Sequence, residues 1–243
     1  MRIVAIIQAH MGSTRLPGKV LLDLAGRTML ARVVRRAQQA KLIDEVAVAC
    51  STGPSDDVIV EECAKLGIRV FRGSDSDVLD RYHRAAEEFQ PDAVVRMTSD
   101  CPLIEPEVSD SVIARFLESG ADYVSNTIDR SYPRGLDTEV CKRACLDRAW
   151  SDAKELYQRV HVTPYLYQNP HLFKIVQVRG EPNLNKLRWT VDTPEDYEFI
   201  SRVFAHFGGE DDFSWHDVLS LLKSSPELQE INRHIRQKAL REL

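Results

Sequence analysis

Long apolar runs are missing from this chain. No stretch approaches the ~20 uninterrupted apolar residues that a membrane-spanning helix needs, so no membrane insertion is expected and a cytoplasmic location is. Cysteine is also scarce. Its five residues, Cys50, Cys63, Cys101, Cys141 and Cys145, are odd in number, widely spread and mostly set in apolar runs. Neither a disulfide framework nor a paired metal spacing fits that pattern, and reduced core thiols do. There is no excess of cations: the formal net charge is -5. That excludes a broad basic face for nucleic acid and confines any anion site to a local cluster. The chain has no Walker A loop and no GxGxxG fingerprint. Internal repeats, low-complexity tracts and long linkers are absent too, so 243 residues, 43% of them hydrophobic, are expected to form one domain with a peripheral insertion.

What is present is a regular alternation of strand-like and helix-like segments. Ile3–Ala9 is apolar except for Gln8 and rich in β-branched residues, as suits a strand covered on both faces. From Thr28 to about Lys41, Met29, Leu30, Val33, Val34 and Ala37 share one helical face. Arg32, Arg35, Arg36 and Gln38 occupy the other, and Thr28 is placed to cap the N-terminus. The rhythm continues through Glu45–Ser51 (strand), Ser55–Leu66 (helix), Arg69–Arg72 (strand), Ser76–Phe89 (helix) and Ala93–Ser99 (strand). Such alternation predicts a parallel α/β core.

Beyond Asp100 the pattern loosens to a helix around Glu107–Glu118, a strand at Asp122–Asn126 and an extended piece at Leu136–Lys142, so the sheet is expected to become mixed. Strands at Leu172–Arg179 and Leu187–Val191 flank the turn-forming GEPNLN, and a helix opens at Pro194. Helical periodicity over Ser214–Leu243, through Trp215, Val218, Leu219, Leu222, Leu228, Ile231 and Ile235, predicts an appendix packed on the main domain. We read residues 1–208 as that domain, with a small arm around 128–142, and 209–243 as the appendix.

In an open parallel sheet the ligand crevice lies at the carboxyl ends of the strands. The loop HMGSTRLPGK leaves the first strand there. Gly12 and Gly18 allow close backbone approach, Ser13 and Thr14 offer hydroxyls, and Arg15 and Lys19 supply charge for phosphate oxygens. A generic strand-to-helix loop with solvated cations is the plainer alternative. In RMTSDCPLIEP a second strand ends at Asp100, and RWTVDTPED offers another acid at Asp192. One or two strand-end carboxylates, completed by water and substrate phosphate, suit Mg²⁺. Alternatively, each acid caps the helix that follows.

Taken in order, GSTRLPGKVL, RGSDSDVLDRY, RMTSDCPLIEP, SYPRGLDTEV, HVTPYLYQNP and RWTVDTPEDYEF resemble the spore-coat polysaccharide biosynthesis protein F group of cytidylyltransferases. These are relatives of the enzymes that make CMP-activated 3-deoxy-manno-octulosonate and CMP-acylneuraminate. The likeness runs from about Arg2 to Phe204. It implies a three-layer α/β/α nucleotide-diphospho-sugar transferase-like fold, with CTP and a sugar as substrates, Mg²⁺ as cofactor and a homodimer joined through Tyr132–Val140.

By matching position, the resemblance implies that Arg15, Lys19, Asp100 and Asp192 are catalytic, the two aspartates holding the metal. It implies nucleotide contacts from Ala9, His10, Gly12, Ser13, Arg15, Lys19, Asp80, Arg81 and Asp100. Arg134, Asp137, Glu139 and His161 would line the sugar side, where an Arg can pair bidentately with a carboxylate. A solvated helix face remains open for Asp80–Arg81, a surface β-arm for 134–139, and a structural histidine for His161. The mechanism implied is an in-line attack of a sugar hydroxyl on the α-phosphorus with release of pyrophosphate. No general base is evident; a metal-bound water and an acid such as Asp192 both stand open.

The chain departs from the group at two places. The group usually has Arg where this chain has His10, and Glu where it has Val160. The first replaces a permanent cation with a group that is mostly neutral near pH 7 unless anions raise its pKa. Two other readings compete: a glycosyltransferase of the same fold, and a degenerate homologue that binds nucleotide or a partner without turnover.

Overall fold

The computed structural model describes residues 1–242. The chain opens with β1 (Ile3–Gln8) and a 3₁₀ turn at Lys19–Leu21, followed by α1 (Met29–Ala37), β2 (Glu45–Ser51), α2 (Asp57–Leu66) and β3 (Arg69–Gly73). It continues through α3 (Val78–Phe89), β4 (Ala93–Thr98), α4 (Pro106–Ser119), β5 (Tyr123–Ser125) and β6 (Glu139–Lys142). Three helices, α5 (Arg143–Asp152), α6 (Leu156–His161) and α7 (Pro164–Tyr167), precede β7 (Ile175–Gln177). The last elements are α8 (Pro194–His206), α9 (Trp215–Ser224) and α10 (Glu227–Glu230).

The strands form one sheet in the order β3-β2-β1-β4-β6-β5-β7. β1 pairs in parallel with β2 and β4, whereas β6 runs antiparallel to both β4 and β5. Parallel and antiparallel pairings therefore meet in one mixed sheet, as expected. Side chains alternate across the central strands. Ile3, Ala5 and Ile7 join Val46, Val48, Val95 and Met97 in a core under α1, α2 and α4. Val4 and Ile6 face the opposite core with Ala47 and Ala49, under α3 and α5. The small Ala47 and Ala49 leave room for Tyr82 and Phe89, and the fully buried Tyr82 hydroxyl donates to the carbonyls of Ile6 (2.8 Å) and Met97 (3.0 Å). The result is a three-layer α/β/α fold.

A third core gathers Leu24, Tyr132, Leu136, Trp189 and Val191 against Phe199, Phe204, Trp215, Val218 and Leu222 of α8 and α9. It corrects one expectation. Arg32 and Arg36 do not face solvent but are buried, 0% and 1% exposed. Arg32 donates to the Leu24, Ala25 and Gly209 carbonyls and to Asp211 (2.9 Å), and Arg36 reaches Glu105 (3.1 Å) and the Asp211 and Phe213 carbonyls. Full pairing is what makes such burial tolerable.

Two element boundaries also differ. Leu187–Val191 is not a strand: its backbone donors go to separate segments, Trp189 N–H to Arg134 O (2.7 Å) and Val191 N–H to Asp100 O (2.8 Å), leaving a lone bridge between Arg134 and Arg188. Helix does not continue past Glu230 in the described residues, although Ile231 and Ile235 keep the helical spacing. There the buried Asn232 is bound to Arg188 and Asp196, and tertiary bonds outweigh local propensity. Leu243 lies outside the described residues. All five cysteines are free and buried, and burial pushes the Cys50 and Cys63 thiols up to about 11 and about 12.

Candidate active site

The chain leaves β1 toward β2 and β3, then returns to β4 on the other side of β1. This reversal opens a crevice at the carboxyl ends of β1 and β4, whose last residues Gln8 and Thr98 are paired. Two adjoining cavities lie there. One, about 290 Å³, is lined by Ala9, His10, Gly12, Ser13, Arg15, Lys19, Arg81 and Asp100. The other, about 770 Å³, is lined by His10, Arg15, Arg81, Asp100, Arg134, Asp137, Glu139, His161 and Asp192. Asp80 lines neither; it accepts from the Trp150 indole (2.9 Å) and pairs with Arg84.

The centre is Lys19. Gly18, at φ 70°, takes the left-handed conformation that starts the 3₁₀ turn, and its N–H closes the loop onto Met11 O (3.2 Å). Lys19 follows with its side chain turned inward, 11% exposed. Its ammonium donates to Asp100 Oδ2 (2.9 Å), Asp192 Oδ1 (2.9 Å) and the Val191 carbonyl (2.8 Å). Burial works against the charged ammonium, but the two carboxylates prevail and its pKa is raised. Burial likewise disfavours ionised Asp100, yet Lys19 and the Thr98 hydroxyl (2.5 Å) hold its carboxyl below the usual range.

Neither acid caps a helix. The α8 cap is Thr193, in a capping box with Asp196, and the residue preceding α4 is Glu105. Asp192 Oδ2 is instead approached by Arg15 (3.2 Å) and Arg188 (2.9 Å), and Arg188 also grips Asp196 (2.8 Å). Arg15, Lys19 and Arg188 are thus matched by Asp100, Asp192 and Asp196, and the cluster is neutral before anything binds. Two carboxylates and a carbonyl converging on one cation position are hard oxygen donors, a set that fits a divalent metal completed by water and phosphate oxygens.

His10 is fixed by Asp56, which is fully buried. Asp56 accepts from Met11 N–H (2.8 Å), Ser51 N–H (2.8 Å) and His10 Nδ1 (3.2 Å). Burial pushes the Asp56 carboxyl up, but these hydrogen bonds outweigh it and hold it low. The His10 ring folds over Gly12 so closely that a Cβ there would lie 2.1 Å from Nε2. Gly12 therefore serves the histidine as well as any ligand.

On the far side Glu139, 5% exposed, accepts from Arg96, Tyr123 and Thr163, so its oxygens are already engaged. Asp137 is held by Arg130 in a bidentate pair; burial would raise its carboxyl, but Arg130 and Arg134 keep it low. Among the described residues the Arg134 guanidinium has no hydrogen bond or ion pair and remains open toward the cavity. His161 Nε2 and Arg96 Nε are buried without partners. Burial, then the charge of Arg96, lowers the His161 pKa, favouring neutral imidazole. Val162 turns the chain sharply here, at φ 72° and ψ -60°, with Thr163 N–H donating to His161 O (2.9 Å) in a γ-turn. That strained turn directs both neighbours to the cavity.

Arg96, Arg130 and Arg188 were not singled out from sequence. Arg130 sits seven residues before its partner Asp137, and Arg188 opens the motif that contains Asp192, so spacing offered a signal for both. Cys101 is no nucleophile: burial raises its thiol well above the ordinary range.

A glycine-bearing loop after β1 that lines one cavity, two acids gathered on one cation and a second polar cavity at the same crevice fit a nucleotidyltransferase of the nucleotide-sugar transferase fold. The sequence model of the cytidylyltransferase family matches residues 4–220, and the chain belongs to that family. A cytidylyltransferase structure from Leptospira borgpetersenii superposes with a TM-score of 0.91 at 33% identity, covering 98% of this chain and all of that one. The spore coat polysaccharide biosynthesis protein SpsF of Bacillus subtilis is 35% identical, covering 93% of this chain and 95% of its own length. A 3-deoxy-manno-octulosonate cytidylyltransferase of Anaeromyxobacter dehalogenans is 45% identical, covering 84% of this chain and 99% of its own length.

Proposed function

We propose that the protein transfers CMP from CTP to a hydroxyl of an acidic or amino sugar, releasing pyrophosphate, for a surface polysaccharide or glycan. The observation that carries this reading is the meeting of Lys19, Asp100 and Asp192, from three distant segments, between a loop cavity and the open Arg134 guanidinium. The SpsF and octulosonate cytidylyltransferase relatives agree with it.

In this reading the triphosphate lies along Gly12, Ser13, Arg15 and Lys19, and the sugar occupies the larger cavity with its carboxylate toward Arg134. Asp100 and Asp192 would hold Mg²⁺, which when bound neutralises phosphate charge and aligns the α-phosphate. Lys19, freed from one or both carboxylates, and Arg15 stabilise the charge on the departing pyrophosphate. Arg130 and Asp137 fix the floor beside Arg134, while the Glu139 network sets Arg96, Tyr123 and Thr163. Both Asp192 oxygens face cations, which suits an electrostatic role better than that of a base. A homodimer in the cytoplasm belongs to the same reading, and sedimentation velocity reads its assembly.

The test is pyrophosphate release from each nucleoside triphosphate with Mg²⁺ and a panel of sugar acids and amino sugars. CTP with one sugar class should turn over, and Asp100→Asn should abolish turnover without unfolding the chain. CTP binding with no pyrophosphate from any pair would favour a binding protein instead.

A further inference from the structure

Residues beyond α10 return over the active-site crevice as an irregular strap. One end is fastened beside the acids: the Asn232 amide, 4% exposed, donates to Arg188 O (3.0 Å) and Asp196 Oδ1 (2.9 Å), and Gln237 Oε1 accepts from Arg188 (2.5 Å). The other end lies against α6, where Leu240 lines the cavity beside His161 and the Arg241 guanidinium lies 5.0 Å from the Tyr157 ring centroid. Between these anchors the chain lines the larger cavity, and Lys238 lines both cavities.

Charge makes that placement consequential. The phosphate-loop cations Arg15 and Lys19, with Arg188, are already matched by Asp100, Asp192 and Asp196. A triphosphate entering a neutral cluster needs cations that are not already committed. Lys238 has no ion pair or hydrogen bond among the described residues, is exposed, and sits where the two cavities join. It also lies outside residues 4–220, the part that the family's pattern covers.

We propose that Lys238 is a phosphate-binding residue, carried by the 231–242 strap over the junction of the two cavities, where its ammonium takes charge from the nucleotide's phosphate chain. Nucleotide enters or leaves as the strap lifts from its Arg188 and Tyr157 anchors. The proposal rests on the reading of this site as one for a nucleoside triphosphate. An ammonium is suited to the task as a compact point charge with three donors on a flexible stem, able to follow phosphates that move as pyrophosphate departs.

The test is calorimetric titration of Mg·CTP, and separately of inorganic pyrophosphate with Mg²⁺, into the full chain and three variants. Lys238→Ala should weaken both ligands by about tenfold, the loss of one charge-assisted phosphate contact, and raise the KM for CTP in parallel. Lys238→Arg should restore affinity to within about threefold, since charge is kept. Gln237→Ala, which releases the strap from Arg188, should weaken binding in the same direction. Lys238→Ala with unaltered affinity and KM, in a wild type that binds or turns over CTP, overturns the Lys238 assignment and leaves the function intact. If CTP does not bind, ATP, GTP and UTP replace it, and whichever binds must show the same dependence on Lys238. A wild type that binds no triphosphate and no pyrophosphate overturns both.

Discussion

Replacing Lys19 with methionine keeps its apolar stem and removes its charge. In the absence of metal this strips the counter-ion from Asp100 and the nearer oxygen of Asp192, whose side chains are 27% and 12% exposed. Removing one member of a buried ion pair costs about 3–5 kcal/mol. The lower end applies here, about 3 kcal/mol, because Asp192 keeps Arg15 and Arg188 and Asp100 keeps Thr98 and partial hydration. For a chain of this length that corresponds to a fall of about 6–12 °C in Tm. A divalent ion should refill the vacated position, and Mg²⁺ at a hundred times its Kd restores about 2.7 kcal/mol. The wild type should gain less, since Lys19 must first give way. Thermal melts of both proteins with EDTA and with Mg²⁺ read the difference. A metal-free loss under about 1 kcal/mol, or equal stabilisation of both proteins by Mg²⁺, would refute the idea that Lys19 and the metal compete for one position.

Two further outcomes follow from other buried charges. Asp211→Asn retains shape but takes the carboxylate from Arg27, Arg32 and Arg35; urea unfolding should show a loss of about 3 kcal/mol, with CTP affinity unchanged because Asp211 lines neither cavity. His161, whose pKa is lowered in the fold by burial and Arg96, takes up its proton in the unfolded chain first as pH falls below about 6.5. Wild-type stability should therefore decline toward acid relative to His161→Asn, by at most about 1.4 kcal/mol per pH unit, and parallel urea midpoints from pH 7 to pH 5 would contradict this.

The central strands β1, β2 and β4 were legible because they are buried on both faces and bounded by turn residues. Glu45–Ser51 has the bounds expected of it, and the Thr28 side chain does cap α1 by accepting from Ala31 N–H (3.1 Å). Local periodicity failed where a distant element supplied the environment. Arg32 and Arg36 look like a solvated helix face until Asp211 and Glu105 come to meet them. The same holds beyond Glu230, where apolar spacing suggests a helix but Asn232 binds Arg188 instead. At the site, HMGSTRLPGK and the motifs that carry Asp100 and Asp192 were readable in order. That Lys19 lies between those acids, or that HVTP folds as a γ-turn around Val162, depends on juxtaposition and backbone geometry that residue type does not disclose.

The lone bridge between Arg134 and Arg188 couples the arm around 128–142 to the segment that carries Asp192. Arg134 N–H and O bind Leu187 and Trp189, Gly135 is packed so that a Cβ would fall 2.6 Å from Trp189 C, and Arg188 goes on to hold Asp192. The segment that would face the acceptor under the proposed function and the segment that carries Asp192 therefore behave as one mechanical part. In swaps between relatives, the transplantable module is not 127–139 alone but that stretch together with 184–196. Chimaeras cut between them would carry a new acceptor surface on a detuned centre, so acceptor range is expected to diversify by paired drift of both segments.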